Sequence, residues 1–302
     1  MDLSALGADT AGVWTSAQAR TAGLSDDQVE RRVRRREWQR VRRGIYADGG
    51  VVPDARMRAW AAVLAAGGPG RAWAAGRTTA RLLGLPLVDD DDPATGARDH
   101  VRDDVAVLAA RHPRSGPTLH VQRLALVRGD TVRIGDVPSL SLARALPGLS
   151  RLLAPTSLVC LLDAALRSGR LDPDGLPTTS GRLGAAVALV DPRAESPAES
   201  LARLVLLPVL PGLEPQVQVV DAGRVVARLD LADRRLRLAV EVDGKRGHAG
   251  ERMVARDQQR DRRTAALGWT TERCTWWELR RDPGGLRRRI LATAARLEQR
   301  AA

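Results

Sequence analysis

Apolar and polar residues alternate most regularly around position 230. Val225, Ala227 and Leu229 interleave with Val226, Arg228 and Asp230. After a polar turn at Ala232-Asp233-Arg234-Arg235, Leu236, Leu238, Val240 and Val242 interleave with Arg237, Ala239, Glu241 and Asp243. Successive strand side chains point to opposite faces, so this period of two predicts an antiparallel pair. Glu241 and Asp243 then share a face, with Val242 behind them. Asp230 ends the first strand, and its reach to Glu241 depends on a register that the pattern leaves open.

The first fifty residues follow a helical rhythm. Thr15-Ser16 starts a helix that Gly23 ends. Ser25-Asp26-Asp27-Gln28 is a capping box, and Val29 and Val33 form the buried stripe of a second helix. Arg31, Arg32, Arg34, Arg35 and Arg36 crowd the rest of that helix. Trp38, Val41, Ile45 and Tyr46 flank Arg42-Arg43-Gly44 as in a short hairpin. Helix, turn, basic helix and basic hairpin is the plan of a winged helix-turn-helix. In that plan the second helix enters the major groove, and arginines of helix and hairpin meet phosphates. Arg31, Arg32, Arg35, Arg42 and Arg43 are the candidate DNA contacts. The competing reading is a solvated arginine face.

Between 53 and 86 the pattern is helical. Met57, Trp60, Ala61 and Leu64 stripe a first helix stopped by Gly67-Gly68-Pro69-Gly70, and a second is expected over 71–83, before Gly84. Asp89 to Asp92 read as a polar loop rather than a cation site. Short apolar runs at 105–110, 119–126 and 131–134 predict strands, and 141–146 and 156–167 predict helices. His100, His112 and His120 lack metal-ligand spacing and read as structural or exposed. Residues 168–195 are rich in Gly, Asp and Pro, contain one short apolar stretch at Leu183–Val190, and mark the last boundary.

Ser196-Pro197-Ala198-Glu199 places proline first in a helix and forms another capping box, which gives Glu199 a structural task. Gln216 and Gln218 alternate with Val217 and Val219 on the next strand. A later helix over 252–267 carries Asp257, Arg260, Asp261 and Thr264 on one face. The plain reading of that face is a solvent-facing ion pair of little worth. A strand over 269–276 and a helix over 286–297 complete the pattern.

Charge and cysteine usage narrow the classes. The formal net charge of +12 over 302 residues favours a polyanionic partner, of which nucleic acid is the simplest. Cys160 and Cys274 lie in apolar runs with no partner pattern, so a disulfide framework and a zinc site are excluded and buried thiols in a reducing compartment are expected. No basic stretch followed by an apolar run opens the chain, and no apolar run approaches the ~18 residues of a membrane span. A cytoplasmic protein without a membrane contact is expected.

The ordered set Asp230, Glu241, Asp243, Gly244, His248, Asp257, Arg260, Gly268 and Trp269 resembles a known family. It is similar to the endonuclease-like domain related to very-short-patch repair endonucleases, in the PD-(D/E)XK nuclease superfamily, over roughly residues 190–280. Asp243 stands where the superfamily pattern has lysine, and E-x-D-G is the form this branch commonly carries. Lys245, the chain's only lysine, falls two positions later. The resemblance implies Mg²⁺ or Mn²⁺ held by Asp230, Glu241 and Asp243 with the Val242 carbonyl. It implies His248 as general base or phosphate contact, Lys245 as a phosphate counter-charge and Glu199 beside the metal. Gln218, Asp257 and Arg260 would support them. At the other end, T-x-x-Q-A, G-L-S and W-x-R-V-R-R-G-I-Y resemble the N-terminal domain of AbiEi-type antitoxins of type IV toxin–antitoxin systems, over roughly residues 8–50.

The expected fold is α/β and multidomain. A winged helix-turn-helix occupies 1–52, a mixed, antitoxin-like α/β connecting domain 53–190, and a restriction-endonuclease-like α/β domain with a mixed sheet 191–302. The expected function is metal-dependent DNA cleavage targeted by the N-terminal domain. The rival is a DNA-binding transcriptional regulator or antitoxin, paired with a cognate toxin protein, whose nuclease fold is inactive. A third reading is a nuclease acting on RNA.

Overall fold

In the computed structural model of the chain, which describes residues 6–88, 102–108, 115–176, 180–243, 259 and 261–301, Thr15 and Ser25 each cap a helix. Ser25 Oγ accepts from the Gln28 N–H at 3.2 Å, and Gln28 Oε1 accepts from the Ser25 N–H at 2.8 Å. These boxes start α1 (Ser16–Thr21) and α2 (Asp26–Arg34), which sit among β1 (Val13–Thr15), β2 (Trp38–Arg42) and β3 (Ile45–Asp48). The strands form an antiparallel sheet in the order β1-β3-β2. Trp14, Ala19, Leu24, Val29, Trp38 and Tyr46 fill its core, and Val33 packs on the edge.

A second sheet follows. It uses α3 (Ala55–Ala65), β4 (Ala72–Ala75), α4 (Gly76–Leu82), β5 (Asp103–Leu108), β6 (Leu119–Leu124), β7 (Thr131–Ile134), β8 (Val137–Leu140) and α5 (Leu142–Leu152). Its order is β6-β5-β4-β8-β7, with β5–β6 and β4–β8 parallel and the other pairs antiparallel. The helix expected over 71–83 is therefore shortened: 72–75 is the central strand, and α4 begins only at Gly76. Ala-Trp-Ala-Ala has helical propensity, but pairing on both edges outweighs it. Gly76 makes the junction. Its φ is 47°, and a Cβ there would lie 2.9 Å from Asp104 Oδ2.

Val13, Ile45 and Ala47 of the first sheet share a core with Met57, Trp60 and Val105. Position 52 is thus no boundary in packing. The chain divides instead into Met1–Ala154 with Arg170–Leu183, and Pro155–Gly169 with Gly184–Ala302. The helix α6 (Pro155–Arg167) belongs to the second unit, so position 190 is no boundary either.

After α7 (Gly181–Val187), the second unit contains α8 (Pro197–Leu206), β9 (Leu213–Asp221), β10 (Arg224–Asp233), β11 (Leu238–Asp243), β12 (Thr270–Thr275), α9 (Trp276–Arg281) and α10 (Pro283–Ala301). Strands β9, β10 and β11 form an antiparallel meander, and β12 joins β11 in parallel, so the sheet is mixed. Residues 261–266 are helical. The turn expected at 232–235 falls at 234–237, because Ala232 still pairs with both Ala239 and Glu214. Asp233 Oδ1 closes that turn by accepting the Leu236 N–H at 3.0 Å. Among the described residues, no helix is long and apolar enough to cross a membrane.

Candidate functional site

The four strands of the C-terminal sheet each contribute one residue to a single row. Asp230 lies opposite Gln216, between the pairs Leu229–Val217 and Leu231–Pro215. Glu241 lies one step beyond the last regular pair of the hairpin, Leu231–Val240, and so stands beside Asp230. Arg273 is in register with Glu241 on the parallel strand β12.

Beyond Leu231 and Val240, side chains take over the ladder's hydrogen bonds. The Val242 N–H donates to Asp230 Oδ2 at 2.9 Å, and the Asp230 N–H donates to Glu241 Oε1 at 3.4 Å. Each carboxylate therefore lies against the backbone of the other strand, at the same end of the hairpin. Glu241 is only 5% exposed. Asp243 is exposed and meets Arg273, with 3.4 Å between Oδ1 and Nη1.

Glu199 reaches the neighbouring strand. Its Oε2 accepts from the Glu195 N–H and from Gln216 Nε2, both at 2.8 Å. Ser196 Oγ caps the Glu199 N–H at 3.1 Å. The reciprocal bond expected of a capping box goes instead to Glu195, one residue before the cap, where the oxygen held by Gln216 can reach. Gln216 sits at φ 56°, a left-handed strand residue whose strain is worth ~1–3 kcal/mol. Gln218 is exposed and lies opposite Arg228, two pairs further along the hairpin. Gln216 is thus the glutamine that meets Glu199.

Arg273 was not legible as a site residue in the sequence. Its Nη2 lies 2.6 Å from Asp261 Oδ2, and Asp243 flanks it. Burial works against its charge, but the Asp261 hydrogen bond and the fields of Asp261, Asp243 and Glu241 outweigh it, and its pKa rises. The stretch 269–276 reads as a strand in the sequence; the parallel register beside Glu241 leaves no local signal. Cys274, the next residue, is buried against Val242's strand, and burial with the field of Glu278 pushes its thiol up to about 12.

Gly244, Lys245, His248, Asp257 and Arg260 lie outside the described residues. Among the described residues, no group of three or more His, Cys, Asp or Glu side chains is gathered tightly enough to hold a metal ion. The Asp230–Glu241 pair does fit a hard cation. Mg²⁺ takes one or two carboxylates and completes its shell with water and phosphate oxygens.

In the N-terminal unit, Arg31, Arg35 and Arg43 are exposed, as is Arg34. Arg32 is engaged: it pairs with Glu37 at 3.0 Å and lies over the Trp38 ring at 5.3 Å. Arg42 is held more firmly. Its side chain is 11% exposed, pairs with the buried Asp103, and donates to Thr118 Oγ1 at 3.0 Å. Arg58 and Arg81 meet the same carboxylate. Asp104 beside it accepts from Arg77 and lies 3.0 Å from His120 Nδ1, so His120 has a structural place. Sequence reading missed Asp103 because its partner is 61 residues away.

No family model matches the chain. The uncharacterized protein MT2308 of Mycobacterium tuberculosis (strain CDC 1551 / Oshkosh) is 32% identical over an alignment of 188 positions that covers 59% of this chain and 68% of that protein. The uncharacterized protein Rv2248 of Mycobacterium tuberculosis (strain ATCC 25618 / H37Rv) matches with the same identity and coverage. The chain belongs to their family. That membership carries no activity, so function rests on the geometry of the chain's own residues.

Proposed function

We propose that the chain is a divalent-metal-dependent DNA endonuclease of the PD-(D/E)XK type, directed to DNA by an N-terminal winged helix. The observation that carries this reading is the Asp230–Glu241 pair. Two carboxylates are held at one end of a hairpin, one of them buried, with Glu199 brought to the adjoining strand by Gln216. Burying acidic groups side by side is costly without a cation.

In this reading Asp230 and Glu241 hold Mg²⁺ or Mn²⁺, which when bound polarises the phosphoryl group and acidifies water. Glu199 fixes Gln216 at the rim of the site. His248 takes the proton of the attacking water as the phosphorus–oxygen bond to the leaving group breaks, since imidazole changes charge near neutral pH. Asp243 orients that water, and Lys245 offsets phosphate charge. The exposed Arg31, Arg34, Arg35 and Arg43 meet DNA phosphates.

A second reading draws on a specific observation. Asp243 faces Arg273, and Asp230 Oδ2 already accepts a backbone N–H. That arrangement also suits a DNA-binding regulator or antitoxin whose nuclease fold has become structural. The test is the full chain incubated with supercoiled plasmid, and in parallel with single-stranded RNA, in Mg²⁺, Mn²⁺ or EDTA. Metal-dependent nicking that Asp230→Ala abolishes is expected. Plasmid left intact in both metals, with duplex binding retained, favours the regulator. Cleavage of RNA alone replaces the substrate class.

A further inference from the structure

The acidic row poses an electrostatic difficulty for any phosphodiester. Asp230 and Glu241 are paired at one strand end, Asp243 follows two residues further along β11, and a phosphate approaching them meets like charge. One bound divalent ion offsets two of these charges, while the transition state adds more negative charge on the phosphoryl oxygens. A fixed cation at the row would resolve this. Among the described residues, Arg273 is a cation whose contacts reach the site, through Asp243 at 3.4 Å and Asp261 at 2.6 Å.

Its placement and exposure both suit the task. The strand β12 runs parallel to β11 and sets Arg273 directly beside Glu241. Its backbone is pinned from behind, since Arg289 Nη2 donates to the Arg273 carbonyl at 2.9 Å. The Arg273 side chain is 40% exposed, and those of its partners Asp243 and Asp261 are 50% and 38% exposed. Half-exposed ion pairs are weak, so the guanidinium can exchange one carboxylate for another anion at little cost. Its planar fork matches two phosphate oxygens at once, which an ammonium does not.

We propose that Arg273 is the phosphate-binding residue of the C-terminal site, its guanidinium leaving Asp261 to grip two oxygens of the scissile phosphodiester beside Glu241. This rests on the nuclease reading above. Asp261 then acts as a parking partner, holding the guanidinium in place when no nucleic acid is bound. The alternative is a plain counter-ion that keeps Asp243 and Asp261 from repelling each other.

The experiment compares the full chain with Arg273→Ala and Arg273→Gln. It reads duplex DNA affinity against salt, Mn²⁺-induced thermal stabilisation, and the single-turnover rate of plasmid nicking. A phosphate contact contributes about 0.9 to the slope of log affinity against log salt. Both variants should lose a slope of that size, keep the Mn²⁺ shift of the parent, and nick at least roughly a hundredfold more slowly, the range for loss of a charge-stabilising group. The amide introduced by Arg273→Gln can still donate to Asp261, so that variant remains readable if the alanine protein does not fold. Parent-like slope and nicking in Arg273→Gln overturns the proposal and leaves the nuclease reading intact. Loss of the Mn²⁺ shift together with nicking, at unchanged slope, makes Arg273 a counter-ion only and also overturns it. A parent chain that neither nicks nucleic acid nor gains stability from Mn²⁺ overturns both.

Discussion

Gln216 Nε2 donates to Glu199 Oε2 at 2.8 Å from a backbone held at φ 56°. A left-handed glutamine inside a strand is unfavourable, and the bond to Glu199 is what the distortion secures. Gln216→Gly should relieve the backbone while losing the bond, whereas Gln216→Ala keeps the strain and loses the bond as well. Thermal melting should place Gln216→Gly above Gln216→Ala, by ~1 kcal/mol. Equal melting temperatures would show that the strain is not relieved at this position.

Glu199→Gln separates capping from chemistry. Its amide oxygen can still accept from Glu195 and Gln216, so melting should stay near that of the parent, within ~1 kcal/mol. If the charge of Glu199 serves the metal site, nicking falls and the Mn²⁺-induced stabilisation shrinks. A variant with parental activity leaves Glu199 a structural role alone.

Arg42 and the exposed arginines should part ways on mutation. Removing one partner of a buried ion pair costs ~3–5 kcal/mol when the other charge is left alone. Arg58 and Arg81 still meet Asp103, so Arg42→Ala should lower the urea midpoint of the N-terminal unit by less than that. Replacing Arg31, Arg34, Arg35 and Arg43 together with Ala should hold that midpoint within roughly 0.5 kcal/mol per site. The same protein should bind duplex DNA more weakly with a flatter salt dependence. Unchanged affinity would remove α2 and its hairpin as the DNA-binding face. A fragment ending at residue 52 should show little structure, because Val13, Ile45 and Ala47 would lose the core they share with Met57 and Trp60.

Asp136 links acid stability to the β7–β8 turn. A bidentate bond from Arg56, with Trp60 Nε1 at 2.9 Å, lowers its pKa from 3.8 to about 2 against the opposing effect of burial. The folded carboxylate therefore titrates below the unfolded one. Its stabilisation is fully present above pH ~4 and is lost as the pH falls from there to about 2. After solvent screening it is worth on the order of 1 kcal/mol. Asp136→Asn should lower stability at pH 7 and flatten the loss over that acid range, as read by urea unfolding at several pH values.

Cys274 should resist thiol reagents in the folded chain. Burial raises its pKa to about 12, so almost no thiolate exists at pH 8. Cys160 is equally buried, with Sγ 3.6 Å from the Pro197 carbonyl. Labelling of both should follow global unfolding. Rapid native reaction of either thiol would contradict the packing described.

Local patterns in the chain were enough to place several elements. Ser25 and Gln28 announce α2 three residues apart, and alternation from Val225 to Asp243 announces the hairpin, because caps and strand faces depend on near neighbours alone. The same alternation identified Asp230 and Glu241 as candidates and left their register open. Tertiary structure decided what depends on distant partners. Ala72–Ala75 became a strand because β5 and β8 pair with both its edges. Arg42 turned from the surface to Asp103, which lies far along the chain but close in the fold. Gln216 rather than Gln218 met Glu199, and Arg273 came to stand beside Glu241, because sheet register and parallel pairing are set by packing across the whole unit. Such contacts carry no periodic signature in the segment that makes them.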